Sequence, residues 1–239
     1  RADAALLALR LLCGVASAWS FVCGGLLAAR LGSAPAAAAA EARRPSAALV
    51  LGLYYGGTGL GIIASALIVP PLDWPAAWAA LAGAALLANV AMARGTRALA
   101  APPATAPARG EGFRPRDFAF GLLGYLMFGL GYIGYMTFIV TLLREQGASG
   151  ATVVAFYILL GCGVIASSWL WAPLLQRYRG GQPLALLNAL LAVATLLPVL
   201  SAHPLAVFAS GALFGAVFLS LVASTTALVR HNLPPAAWP

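Results

Sequence analysis

Arg10, Tyr125, Tyr132 and Tyr135 are the residues of this chain best suited to chemistry, because each stands inside a long apolar segment. An arginine at mid-bilayer costs roughly 2.5–3.5 kcal/mol on the insertion scale and less near the interface. Arg10, about five residues in from one end of its segment, either snorkels to headgroups or holds an anionic group. It opens the stretch RLLCGVASA, where Gly14 and Ala18 follow at four-residue steps and let a second helix approach beside the arginine. The three tyrosines lie at i, i+7 and i+10, within about 80° of one another on a helix. Their hydroxyls would be costly against lipid, so they face either a water-filled cavity or a neighbouring helix. Thr137 follows on the same segment and can bond back to its own helix. Asn89 and Asn188 are single amides in other segments and read as interhelical glue.

What is missing narrows the chemistry further. No Asp or Glu lies deep in any apolar segment: Asp3, Asp73, Asp117 and Glu145 stand at ends, and Glu41 and Glu111 lie between segments. A proton relay in a membrane uses an acid or His at depth, so any proton carrier lies outside these segments. His203 and His231 are at segment ends, which argues against a metal or haem centre. Cys13, Cys23 and Cys162 form no CxxC pair and are expected to be buried packing residues. No cofactor is expected. Hydrolysis inside a bilayer needs a nucleophile with a base, paired acids or a metal, and Ser167-Ser168 has no such partner. The chain is therefore not expected to be an enzyme.

The elements that carry these residues are transmembrane. With 62% hydrophobic and only 8% charged residues, hydrocarbon is the solvent for most of the surface. Segments near 4–29, 46–70, 75–94, 117–143, 152–175, 183–201 and 204–229 each reach the ~20 apolar residues that a spanning helix needs. Their continuous apolarity predicts helices rather than barrel strands, hence an all-α polytopic bundle. Pro70, Pro71, Pro75, Pro183 and Pro204 fall at segment ends, where proline costs least.

The net charge of +8 is carried by Arg alone, with no Lys in the chain. Arg30, Arg43, Arg44, Arg94, Arg97, Arg109, Arg114, Arg116, Arg177, Arg179 and Arg230 all fall on one side of the predicted membrane. Only Arg1 and Arg144 fall on the other, so the first side is cytoplasmic and the chain starts outside. These arginines are topology signals beside spans, and nucleic-acid binding is not expected. Residues 30–45 form an Ala-rich basic linker, and residues 95–116 are rich in Ala, Pro, Gly and Arg. The latter reads as a flexible cytoplasmic hinge between residues 1–94, with three spans, and residues 117–239, with four. The non-Met start and the ending LPPAAWP are expected of a fragment.

Glycine supplies the second pattern. In LGLYYGGTGLGIIASALIVPPL, Gly52, Gly56 and Gly59 share one face, and Gly57 with Gly61 makes a second GxxxG. Small stripes permit tight crossing and sliding of helices. Gly131 and Gly134 sit between the tyrosines of the fourth span, and with Gly14 these residues are candidates for packing or gating.

FGLGYIGYMTFIVTLLRE (128–145), YILLGCGVIASSWLWAPLL (157–175) and GALFGAVFLSLVASTTALVR (211–230) together resemble the YbfB/YjiJ family of major facilitator superfamily transporters. RLLCGVASA is similar to the Arg-and-Gly pattern of that superfamily's fourth helix, and the second span is similar to its glycine-rich fifth. The resemblance covers essentially the whole chain, in order, as helices four to ten of twelve. It implies a partial major facilitator fold in the bacterial inner membrane: two bundles, each with inverted three-helix repeats. It also implies that the first, fourth and seventh spans line a central cavity. Arg10, Tyr132, Tyr135, Thr137, Thr225 and Thr226 then stand near a substrate path. In LLQRYRGGQP, Gln176 stands where the superfamily often has an acid, which argues against a charge-locked gate.

The expected function is secondary active transport of a small organic solute by alternating access, with the bilayer and that solute as partners and proton coupling left open. A seven-span receptor or sensor without transport is the alternative. It is not a rhodopsin, because without Lys no retinal Schiff base can form.

Overall fold

Helices follow from apolar runs punctuated by caps and prolines. The computed structural model describes residues 2–32, 47–97 and 115–232. Within them lie α1 (Ala2–Gly32), α2 (Ala47–Ile68), α3 (Trp74–Thr96) and α4 (Ala119–Glu145), the last entered through a 3-10 turn at Pro115–Phe118. Then come α5 (Gly150–Leu170), α6 (Ala172–Arg177), α7 (Gln182–Leu200) and α8 (Pro204–Asn232). No strand occurs among the described residues. Six helical stretches are long and apolar enough to cross a membrane, and α2 adds the shorter stretch Gly52–Ile68. At 22 residues, α2 as a whole is about 33 Å long, close to the thickness of the hydrocarbon core. The chain is an all-α polytopic membrane fold.

Local chemistry sets the boundaries. The Asp73 carboxylate accepts from the Ala76 amide at 3.1 Å and starts α3, with Pro75 in its first turn. Ser149 caps α5 in the same way through the Thr152 amide at 3.1 Å. Between α4 and α5, Gly147 adopts φ +82°, a left-handed conformation that favours glycine. The span expected at 152–175 is interrupted: α5 ends at Leu170 and α6 restarts past Trp171. Pro173 lies in the first turn of α6 and cannot continue the hydrogen-bond ladder. Most of the connections expected at 30–45 and 95–116 lie outside the described residues, as do Arg43, Arg44, Arg109 and Arg114.

The core is the group α4, α5, α7 and α8, with Phe156, Leu160, Val164, Leu187, Ala194, Phe214, Val217 and Leu221 wholly buried. α8 lies at its centre, against α4, α5 and α7. Glycine lets α5 and α8 touch: a Cβ on Gly163 would stand 3.0 Å from the Ala212 carbonyl oxygen, and one on Gly215 would overlap that of Leu160. α2 lies across α5 on the other side and carries α1, where the Tyr54 hydroxyl donates to the Phe21 carbonyl at 2.7 Å.

α1 and α3 present their apolar side chains outward, Leu7, Trp19, Leu86 and Leu87 among them. Exposed apolar surface carries no penalty when hydrocarbon is the solvent. The same physics corrects the cysteines. Cys13, Cys23 and Cys162 are exposed rather than buried, because nothing drives a thiol inward from lipid.

Candidate functional site

The fourth span brings its three tyrosines and Phe128 to one face, while Phe120 and Phe138 point outward. Tyr125, Phe128, Tyr132 and Tyr135 follow one another at three- or four-residue steps on α4, while Phe214 and Phe218 stand one turn apart on α8. The rings meet as a ladder: Phe128 stacks on Tyr132 at 4.9 Å, Tyr132 lies 5.2 Å from Phe218, and Phe218 stacks on Phe214 at 5.5 Å. Tyr135 closes the ladder, 4.2 Å from Phe214 and 14° from parallel. Offset ring pairs of this kind add about 0.5–1.5 kcal/mol each beyond the area they bury.

At Tyr135 the ladder becomes polar. The Tyr135 hydroxyl lies 2.7 Å from Ser210 Oγ, and Ser210 Oγ donates to the Ala194 carbonyl at 2.6 Å. A serine hydroxyl has one proton, so with Ser210 donating to Ala194 it is Tyr135 that donates to Ser210. The reason lies in α7. Pro198 stands inside that helix and has no N–H to offer the carbonyl four residues back, that of Ala194. Ser210 supplies the missing donor from α8. Nearby, Gln146 Nε2, from the residue that caps α4, donates to the Pro198 carbonyl at 3.0 Å and ties the α4–α5 turn to the end of α7.

Two cavities run along the groove between α4 and α7. One of about 680 Å³ is lined by Phe120, Gly124, Gly131, Asn188 and Thr195, among others. The other, of about 440 Å³, is lined by Gly134, Tyr135, Thr141, Glu145, Thr195 and Pro198, among others. Thr195 borders both. Asn188 donates to the Leu184 carbonyl within α7 at 3.1 Å, and Asn89 to the Ala85 carbonyl within α3 at 2.8 Å.

The remaining candidates are spread over the molecule. Arg10 is exposed on α1, its guanidinium carbon 5.6 Å from the centre of the Trp78 ring on α3. Thr137 is exposed on α4, and Thr225 donates back to the Leu221 carbonyl at 3.1 Å. Thr226 is on α8, with its side chain outside the described residues. The structure thus brings Tyr132 and Tyr135 together with α8, while Arg10 lies apart over Trp78.

The glycines divide into two sets. Gly52, Gly56 and Gly59 face α5: a Cβ on Gly52 would meet the Trp169 indole at 2.9 Å, and one on Gly56 would meet Ile165 at 3.9 Å. Gly59 lies directly against Gly161. Gly14, Gly61, Gly131 and Gly134 have open space where a side chain would stand, and the last two line the α4–α7 cavities.

Sequence reasoning overlooked Pro198, Ser210, Gly211 and Gly215. The signals were a proline inside a span rather than at its end, and a GxxxG at 211 and 215 directly after a serine.

Compared with known proteins, the chain matches over residues 2–238 the profile of a family described as uncharacterised MFS-type transporter YbfB. The chain belongs to that family. It is therefore a multi-pass membrane protein of the major facilitator type, and its family is one of transporters rather than enzymes. No curated protein and no solved structure gives a significant match.

Proposed function

We propose that this protein is a secondary transporter of a small organic solute, working by alternating access in a bacterial inner membrane. Residues 1–94 and 117–239 belong in this reading to two bundles joined by the 95–116 hinge, and the helices described correspond to helices four to ten of twelve.

The observation that carries the proposal is where the hydrogen bonds stop. α1 and α2 are joined by Tyr54 bonding to Phe21. Across the core, Ser220 Oγ donates to the Ser167 carbonyl at 2.8 Å, Trp171 Nε1 to the Ala216 carbonyl at 2.8 Å, and Ser210 to Ala194. Among the described residues no side-chain hydrogen bond crosses from α2 to α5, where glycine meets glycine instead. A contact without directional bonds can slide at little energetic cost, and α2 with α5 forms the seam along which two bundles rock. A guanidinium at Arg10 would attract an anionic group of the solute, and the seven apolar spans carry no acid at depth to bring a proton with it.

The test is flux. The full-length protein in sealed vesicles, offered radiolabelled aromatic carboxylates and other small organic anions, should show saturable movement across the bilayer. Saturable binding with no flux for any solute would support a receptor or sensor instead.

A further inference from the structure

We propose that Tyr135, Ser210 and the Ala194 carbonyl form a latch that holds α4 against α7 and α8, and that the latch opens at Tyr135. Opening it widens the α4–α7 groove and merges the two cavities that meet at Thr195.

Its two hydrogen bonds are not equivalent. The Ser210–Ala194 bond is obligatory: Pro198 deprives the Ala194 carbonyl of its helical donor, and a buried carbonyl without a partner is strongly disfavoured in a membrane interior. Both Ala194 and Ser210 are wholly buried, so water cannot replace either one. The Tyr135–Ser210 bond is dispensable by comparison. Ser210 keeps its acceptor when Tyr135 leaves, and the tyrosine O–H can donate instead to any acceptor entering the adjoining 440 Å³ cavity, which Tyr135 lines. The weak point therefore lies on the α4 side.

The packing agrees. α5 and α8 touch through glycine, and α7 lies along α8, burying Leu187, Leu191 and Ala194. α4 instead has open space at Gly131 and Gly134 where it faces the cavities toward α7. At one end it packs on Leu184 of α7 at Gly124 and on Leu228 of α8 at Gly121; beyond that it is held to α8 by the aromatic ladder and to α7 and α8 by this latch, with Gln146 bonding to Pro198 at the rim. Once the Tyr135 bond is released, the Gln146–Pro198 bond still ties the end of α4 to α7, and the rest of α4 swings from that point.

The experiment reads structure rather than flux, so its outcome is independent of the transport reading. In the full-length protein, with Cys13, Cys23 and Cys162 replaced by Ala, spin labels at 126 on α4 and 193 on α7 report the groove width. Hydrogen exchange of residues 191–200 reports α7 itself. Tyr135→Phe should broaden the label distances and leave α7 exchange unchanged. Ser210→Ala should broaden the distances and also speed α7 exchange roughly three- to tenfold, the range of single interhelical hydrogen bonds in membranes. Pro198→Ala added to Ser210→Ala restores a backbone donor for Ala194, so α7 exchange should return to the wild-type rate while the distances stay broad. Unchanged distances in either Tyr135→Phe or Ser210→Ala would overturn the latch. So would a Ser210→Ala effect on α7 that Pro198→Ala leaves in place, since Ser210 would then act only through packing.

Discussion

Gly59 and Gly161 meet backbone to backbone, each occupying the space a side chain on the other would need. A Cβ on Gly59 would stand 2.5 Å from the Gly161 carbonyl oxygen, and one on Gly161 would stand 2.8 Å from that of Gly59. Neither neighbour can turn aside, because both are helix backbone. The contact therefore fixes how closely α2 and α5 approach, and it does so with the most permissive surface available, bare peptide.

The first prediction follows from that contact. Gly59→Val should drive α2 away from α5 and reduce flux at least tenfold, while membrane insertion and expression stay near wild type. Gly61→Val, on the same helix with open space around it, should be close to neutral. Flux in vesicles, normalised to inserted protein, decides the matter. Equal flux in the two variants would show that the crossing has no part in transport.

The second prediction separates stability from motion. Gly215 lies against the Leu160 carbonyl and the Val164 amide, inside the hydrogen-bonded core rather than at the α2–α5 crossing. Gly215→Ala should lower stability by about 1–3 kcal/mol, the usual effect of overpacking a well-filled interior. Gly211→Ala meets the edge of the Phe156 ring, which has more freedom to shift than backbone, and should do less damage. Gly134→Ala, with nothing near it, serves as the reference. Thermal unfolding in detergent should rank them 134, 211, 215 from mildest to worst, and a Gly215→Ala variant as stable as the reference would contradict the crossing.

How much of this could be read from the chain depends on the kind of signal. The helices were legible because twenty apolar residues in a row have one solution in a bilayer, and Asp73, Ser149 and the end prolines mark their limits. The shared face of Tyr132 and Tyr135 followed from spacing alone. Their neighbours did not, since periodicity places a residue on a face without saying which helix lies opposite. Gly14 shows the limit: its small-residue stripe resembles that of Gly52, Gly56 and Gly59, yet only the latter three meet a helix among the described residues. Pro198 shows another. A proline in a span announces a free carbonyl, but Ser210, sixteen residues from Ala194 and on the next helix, is identified as its donor only by the fold.

The third prediction uses a native reporter. Cys13 is three residues beyond Arg10 and on its side of α1, whereas Cys23 lies about 140° away around the helix. Both are exposed. If Arg10 faces a water-filled path, a charged thiol reagent should label Cys13 and spare Cys23, because thiolate forms only where water reaches the sulfur. Tandem mass spectrometry after labelling sealed vesicles distinguishes the two. Protection of both would place Arg10 against lipid and make snorkelling its role.

The fourth prediction concerns Arg10 itself. Its guanidinium lies over Trp78, a contact worth roughly 0.5–1 kcal/mol at an exposed site and about 2 kcal/mol or more when desolvated. Trp78 thus orients the arginine without neutralising it, which leaves the N–H donors at the rim of the guanidinium available to an anion. Arg10→Ala should abolish flux of an anionic solute while insertion is preserved. Trp78→Ala should retain flux but raise the solute concentration needed for half-maximal rate, since the charge remains and only its orientation is lost. Arg10→Lys should fall between them, because an ammonium keeps the charge but not the planar fork. Wild-type flux in Arg10→Ala would remove the arginine from the substrate path. Loss of inserted protein in that variant would instead make it a structural anchor of α1 on α3.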